Sequence, residues 1–301
     1  EAEGQIKALE NKLSRTKADS DVSRVNHNGT TPTTGLTYGT RALLPAALEY
    51  RDATNGAFDI TIAPVMDAWG FTGDSFRVPE RSELDELLKH VNSDEIQIQE
   101  EPAHSVTLGE GQAIDLGGIA KGYTSDLVEQ TFRANGIESG KISLGGNVFV
   151  LGGKPDGSDW RVGIKDPRNE SGLAAILSLR DAYAITSGGY ERYFEENGKT
   201  YHHIIDPSTG YPADSGLLSV TVVAADNGPD WAGAGNGAMC DAFSTALFVM
   251  GEEQALDFWR NGGYDFDLVL VTEDGRVVIT AGLADRFEEV KDSGYTYETV
   301  S

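Results

Sequence analysis

The chain has 301 residues, 39% hydrophobic and 24% charged, with four Trp and eleven each of Tyr and Phe. These are proportions of a folded globular protein, large enough for one domain with a substantial core or for two lobes sharing a cleft, and no run approaches the roughly 20 apolar residues of a membrane-spanning helix. A net charge of −24 repels phosphate backbones and argues against nucleic acid, and the single cysteine, Cys240, excludes an internal disulfide or a cysteine-built metal site.

Ile6, Leu9 and Leu13 fall on one helical face, so residues 2–17 read as an opening amphipathic helix. Residues 19–25 read as a turn and a polar loop. A second helix includes residues 43–50, with Pro45 near its first turn, where proline is tolerated. Residues 56–71, GAFDITIAPVMDAWGF, form an apolar segment carrying Asp59, Asp67 and Trp69. Leu84, Leu87, Leu88 and Val91 mark a helix opened by Pro79 and Ser82.

Strands are expected at 95–99 and 105–108, and residues 113–116 run as a strand into a glycine pair and a helix over 119–135. Further strands fall at 141–151, 160–165, 174–179, 182–186, 201–205 and 217–224. Two helices cover 239–250 and 252–261, and a hairpin joins 267–272 to 276–280. Strands and helices mix without a βαβ rhythm, which predicts an α+β fold in one domain. Residues 225–238 are Gly-rich and read as a long surface loop of the kind that serves as a lid. The first ten residues are charged from the start, so no signal peptide is seen; the protein is then cytoplasmic or has lost its targeting segment.

Four segments could carry chemistry. In DLGGIAKG, Asp115–Gly122, two glycines allow close backbone approach to a ligand, and Lys121 adds a positive charge to a helix N-terminus that already attracts anions. Neither the Walker spacing nor the dinucleotide fingerprint is present. In DAFSTALFVMG, Asp241 and Thr245 lie one helical turn apart and offer hard oxygen ligands suited to Mg²⁺ or Ca²⁺ rather than zinc or copper. In YHHIIDPSTGYP, one of two adjacent histidines can face a given cleft, and DPSTG makes a tight turn. In TSGGYERYF, the small residues Ser187, Gly188 and Gly189 leave room for something flat or bulky, followed by Glu191. Each alone has a plainer explanation: a strand-to-helix turn, a helix cap, a strand end, a bend.

Taken together and in order, with DSDVSRVN at 19–26 and GAFDITIAP at 56–64, these segments resemble the ApbE-type FAD:protein FMN transferases over residues 9–287. The resemblance implies a single α+β domain of T-fold-like architecture, with mixed antiparallel sheets, flanking helices and two lobes around a central flavin cleft. It implies transfer of FMN from FAD to a threonine of a target flavoprotein, such as a respiratory or redox-complex subunit, with release of AMP and with hydrolysis of FAD to FMN and AMP as a further activity.

It also implies roles for particular residues. Asp241, Thr245 and the carbonyl of Gly118 would bind Mg²⁺. Asp115, Lys121, Ser187, Gly188, Gly189, Glu191, His203 and Thr209 would line the FAD site. His203 would act as general base with Asp206 holding its ring, and His202, on the other strand face, has no role. Two departures stand out: the chain starts at the helix, without the Met-Gly-Thr strand usual in the family, and residues 225–238 are longer and richer in Gly. Thr16 stands near a position where some members carry a Tyr that stacks on adenine, a change that favours hydrolysis. The implied location is exported, periplasmic or on the outer face of the bacterial cytoplasmic membrane, free or lipid-anchored through a removed N-terminus. The competing reading is a non-catalytic FAD-binding or flavin-scavenging protein; only the enzyme needs His203, Asp241 and Thr245 together.

Overall fold

The computed structural model describes residues 1–73, 75–100, 102–226 and 233–301. In chain order, the helices are α1 (Ala2–Leu13), α2 (Asp21–Asn28), α3 (Tyr38–Ala53), α4 (Ala63–Trp69), α5 (Arg81–Leu87), α6 (Ala120–Ala134) and α7 (Asn236–Asn261). The strands are β1 (Thr30–Pro32), β2 (Gln97–Gln99), β3 (Ser105–Thr107), β4 (Gly140–Leu144), β5 (Asn147–Leu151), β6 (Trp160–Asp166), β7 (Asn169–Leu179) and β8 (Ala182–Gly188). They continue with β9 (Tyr193–Glu196), β10 (Lys199–His202), β11 (Leu217–Ala225), β12 (Asp267–Thr272), β13 (Arg276–Thr280), β14 (Phe287–Glu289) and β15 (Thr296–Val300). The architecture is α+β, in two compact units: Glu3–Ala120 with Arg192–Ala213, and Lys121–Glu191 with Asp214–Ser301.

The first unit holds the small sheet β1-β3-β2 and the hairpin β9–β10. Its apolar centre is Val65, Trp69, Phe71, Leu84 and Ile205. Trp69 Nε1 donates to the Gly210 carbonyl at 2.7 Å, so a fully buried indole has its polar atom satisfied and ties α4 to the DPSTG turn.

The second unit is built on a seven-stranded sheet in the order β15-β13-β12-β11-β8-β5-β4. Its pairs are antiparallel apart from β13 with β15, which is parallel. One face, with Val150, Ala182, Ala184, Val223, Val269 and Ile279, packs on the three-stranded sheet β14-β7-β6 through Val162, Ile164, Ala175, Leu177 and Leu179. Successive side chains alternate faces, so Asn147, Phe149, Tyr183, Ile185 and Ser187 point the other way, onto the face that α7 covers.

Several local expectations differ from the structure, each for a physical reason. The opening helix stops at Leu13 rather than 17, because Ser14 turns extended. Residues 19–25 are not a loop. Ser20 accepts the Ser23 N–H as an N-cap and starts α2, whose Val22 and Val25 are fully buried. Pro45 lies in the interior of α3, which begins at Tyr38 rather than near residue 43. Among the described residues, 113–116 pair with no strand. The amide of Asn26 imitates a ladder there, accepting the Ile114 N–H at 2.8 Å and donating to its carbonyl at 3.0 Å.

The stretch 141–151 is a hairpin rather than one strand. Gly145 and Gly146 both take positive φ, 54° and 94°, the geometry of a two-residue turn, and Leu144 pairs with Asn147 across it. The two helices expected at 239–261 are the halves of α7, broken at Gly251, whose φ of 79° and ψ of 172° are not helical. Of the Gly-rich segment 225–238, residues 227–232 lie outside the described residues; Ala225 ends β11, and Asn236 opens α7.

Candidate functional site

In the second unit, Asp241 sits in the second turn of α7 and is almost fully buried. Its Oδ2 accepts the backbone N–H of Gly122 at 2.8 Å, at the first turn of α6. This contact demands a glycine. A Cβ at position 122 would stand 2.0 Å from the Gly237 carbonyl oxygen and 2.7 Å from the Asp241 Cβ. The DLGGIAKG motif therefore ends on a third glycine because two helices meet there.

Burial pushes the Asp241 carboxyl above its ordinary value, opposed first by the charge of Lys121 and then by Asn147 and the N–H groups of Gly122 and Lys121. Asn147 is close enough to exert that pull yet outside hydrogen-bonding geometry, since both polar atoms of its amide are buried without a partner among the described residues. Lys121 itself is exposed.

Thr245 lies one turn after Asp241 and is half-buried. Its hydroxyl reaches the Asp241 carbonyl at 3.4 Å and the Ser187 hydroxyl at 3.1 Å. Ser187 also meets the Ser244 hydroxyl at 2.8 Å, and Ser244 donates back to the Asp241 carbonyl at 2.9 Å. A carboxylate and a hydroxyl a turn apart, with an orphaned amide beside them, fit a hard divalent cation. Among the described residues no three His, Cys, Asp or Glu side chains cluster into a metal cage. A cation here takes one carboxylate and fills its shell from hydroxyl, backbone, water or ligand oxygens, as Mg²⁺ does at phosphate sites.

The start of α7 is fixed from α6. Asp126, fully buried, accepts the N–H groups of Gly235, Gly237 and Ala238 at 3.1, 2.7 and 3.1 Å. Burial raises its pKa to about 7, against the pull of those three N–H groups and of Tyr183.

At Gly188 the room foreseen for a flat ligand is filled by the chain itself, since a Cβ there would meet the Tyr190 ring at 2.5 Å. Burial lifts the Tyr190 phenol to about 12, and the Lys165 ammonium lies 4.7 Å from its ring centre. Gly189 is half-buried, and the exposed Glu191 donates its N–H to the Gly188 carbonyl. Glu191 Oε1 lies 3.9 Å from where a Cβ of Gly146 would be, so this segment borders the β4–β5 turn.

In the first unit, Asp115 accepts the Nε–H of Arg15 at 2.7 Å and the Gly117 N–H at 2.7 Å. Arg15 also holds Asp67 at 2.7 Å and bonds Thr72. Gly118 lies in the turn just before α6, half-buried. Thr16 is exposed, its hydroxyl 2.9 Å from that of Ser14.

His203 follows β10. Its Nδ1 lies 3.1 Å from the Arg192 carbonyl, and its own N–H donates to the same oxygen at 3.0 Å. A carbonyl only accepts, so this contact puts a proton on Nδ1; in the neutral ring the lone pair is then on Nε2, the tautomer a general base needs. The ring packs edge-on to Phe71, with centroids 6.5 Å apart. Asp206 Oδ1 accepts the Ser208 N–H at 2.8 Å and the Ser208 hydroxyl at 2.7 Å, so this carboxylate braces its own turn. In that turn the Thr209 hydroxyl accepts the Tyr211 N–H at 3.2 Å. His202 Nε2 lies 3.1 Å from the Ala213 carbonyl.

Sequence reasoning had missed Gly122, Asp126, Asn147, Ser244 and Arg15. Only the Gly-Gly-Asn turn carried a readable signal, as a hairpin dipeptide.

Comparison with known proteins adds an independent line. The ApbE family model matches residues 1–268. A protein of Klebsiella pneumoniae (strain 342) named FAD:protein FMN transferase is 34% identical over 294 residues, 96% of this chain and 86% of that one. One of the same name from Treponema pallidum (strain Nichols) is 32% identical over 300 residues, 95% of this chain and 80% of that one. The crystal structure of the ApbE protein from Thermotoga maritima is similar with a TM-score of 0.81 and 34% identity, covering 96% of this chain and 87% of that one.

Proposed function

The chain belongs to the ApbE family, and on that footing we propose that it is a FAD:protein FMN transferase, moving FMN from FAD to a threonine of a target flavoprotein and releasing AMP. The observation that carries the reading is the bond from the Gly122 N–H to Asp241, which sets a buried carboxylate and the Thr245 hydroxyl at a helix N-terminus beside Lys121.

In this reading Asp241 and Thr245 would hold a Mg²⁺, which would supply positive charge against that of the departing phosphate. Lys121 and the first-turn N–H groups of α6 attract the pyrophosphate into a protein whose net charge of −24 otherwise repels it. Ser187 holds the Thr245 hydroxyl in place. His203 Nε2 takes the proton from the threonine hydroxyl as its oxygen bonds to the FMN phosphorus, while the pyrophosphate bond breaks and AMP leaves. The target is a redox or respiratory subunit bearing the threonine, and the reaction takes place on the outer side of the bacterial cytoplasmic membrane.

The test incubates the protein with FAD and Mg²⁺, with and without a threonine-bearing target peptide, and follows AMP, free FMN and flavinylated peptide. Labelled peptide with stoichiometric AMP is expected. Free FMN without labelling would make the protein a FAD pyrophosphatase, and intact FAD throughout would leave a flavin binder.

A further inference from the structure

Asn147 opens β5 directly after the Gly145–Gly146 turn and is fully buried. Among the described residues neither polar atom of its amide has a hydrogen-bond partner. Leaving such a group unsatisfied weakens a fold, and in native proteins it calls for an explanation.

The register supplies one. Asn147 pairs with Ile185 of β8, and Ser187 lies two residues further on the same strand, so all three side chains share the sheet face against α7. On that face the Ser187 hydroxyl already contacts Thr245, one turn from Asp241. The amide thus stands beside the buried carboxylate, directly after the two-glycine turn.

We propose that Asn147 is a positioning residue of the cation site: with the cation bound, its N–H closes on the Asp241 carboxylate and orients it, and its carbonyl oxygen accepts from a water of the hydration shell. This inference rests on the metal assignment proposed above. Mg²⁺ retains several waters when it binds through one carboxylate, and outer groups of this kind aim the ligands that touch the metal. The unsatisfied amide is then a stability cost in the metal-free protein that binding removes.

Asn147→Leu separates this role from a structural one, because the two predict opposite signs. Full-length protein and variant, stripped with EDTA, are titrated with Mn²⁺ as the probe for Mg²⁺ and followed by electron paramagnetic resonance of the free ion. Thermal unfolding is recorded without metal. The variant should bind Mn²⁺ about 10–100-fold more weakly, yet unfold at the same temperature as the parent or higher, since a near-isosteric apolar group replaces an orphaned amide.

Unchanged Mn²⁺ affinity with a lower unfolding temperature would overturn the proposal and make Asn147 a structural residue. Should the leucine variant fail to fold, Asn147→Ser, which keeps a small polar side chain, must still lose at least about tenfold in affinity; unchanged binding there also overturns it. If the parent protein binds no Mn²⁺, the metal assignment itself fails and takes this inference with it.

Discussion

The carboxylate of Asp126 accepts the backbone N–H of Gly237 at 2.7 Å, so a side chain from α6 caps the helix that carries Asp241 and Thr245. With the bonds from Gly235 and Ala238, three of the orphan donors at the start of α7 are satisfied by one buried acid.

That acid makes stability depend on pH. Burial raises its pKa from 3.8 to about 7 in the folded state. Between those values the folded protein binds more protons at this site than the unfolded chain, so the contribution of Asp126 to stability falls as pH rises through the window. The penalty is absent below about pH 4 and complete above about pH 7. Asp126→Asn should remove this component, so its urea midpoint changes less than the parent's between pH 5 and pH 8. Parallel curves for the two proteins would refute the assignment.

Gly122→Ala should be among the most damaging single substitutions in the second unit. Its methyl would overlap the Gly237 carbonyl oxygen and the Asp241 Cβ, forcing α6 and α7 apart at a cost of about 3 kcal/mol or more. Equilibrium urea unfolding measures the loss, and a change under 1 kcal/mol, on the order of a surface substitution, would mean the contact is slack.

Ser187→Ala removes one oxygen that touches both Ser244 and Thr245. The loss should be about 1–2 kcal/mol in stability, together with weaker Mg²⁺ binding by calorimetry as the Thr245 hydroxyl gains freedom. Unaltered Mg²⁺ affinity would limit Ser187 to packing.

Trp69→Phe keeps most of the apolar contact with Phe71 and Tyr201 but leaves the Gly210 carbonyl without its indole donor. About 1–2 kcal/mol should be lost, with faster amide exchange in residues 206–210. Exchange as slow as in the parent would show that the turn holds itself through Asp206 and Ser208.

His203→Ala should leave FAD binding intact, as read by flavin fluorescence, while transfer to peptide drops by about 10²–10⁴-fold. Loss of binding with little change in the chemical step would move His203 from proton transfer to the flavin pocket.

How much of this was legible beforehand divides along the range of the forces involved. The halves of α7, the β12–β13 hairpin and the strand positions of β6, β8 and β11 followed from local periodicity and turn residues, which act over a few positions. The α2 helix was readable too, from Ser20 ahead of a Val22–Val25 spacing, but its polar composition hid it. The β4–β5 turn was readable from its Gly145–Gly146 pair, although the apolar run on either side reads as one strand.

The residue types capable of the chemistry, Asp241, Thr245, Lys121 and His203, are set by sequence alone, because ligand hardness and proton affinity belong to side chains. What those side chains meet was decided only by folding. That Gly122 must lack a Cβ, that Asp126 caps a helix more than a hundred residues later, that Asp115 is taken by Arg15 and that Asn147 is buried without a partner among the described residues all depend on contacts between distant segments. Packing excludes water and brings dipoles within 3 Å irrespective of sequence separation, and no local pattern encodes that.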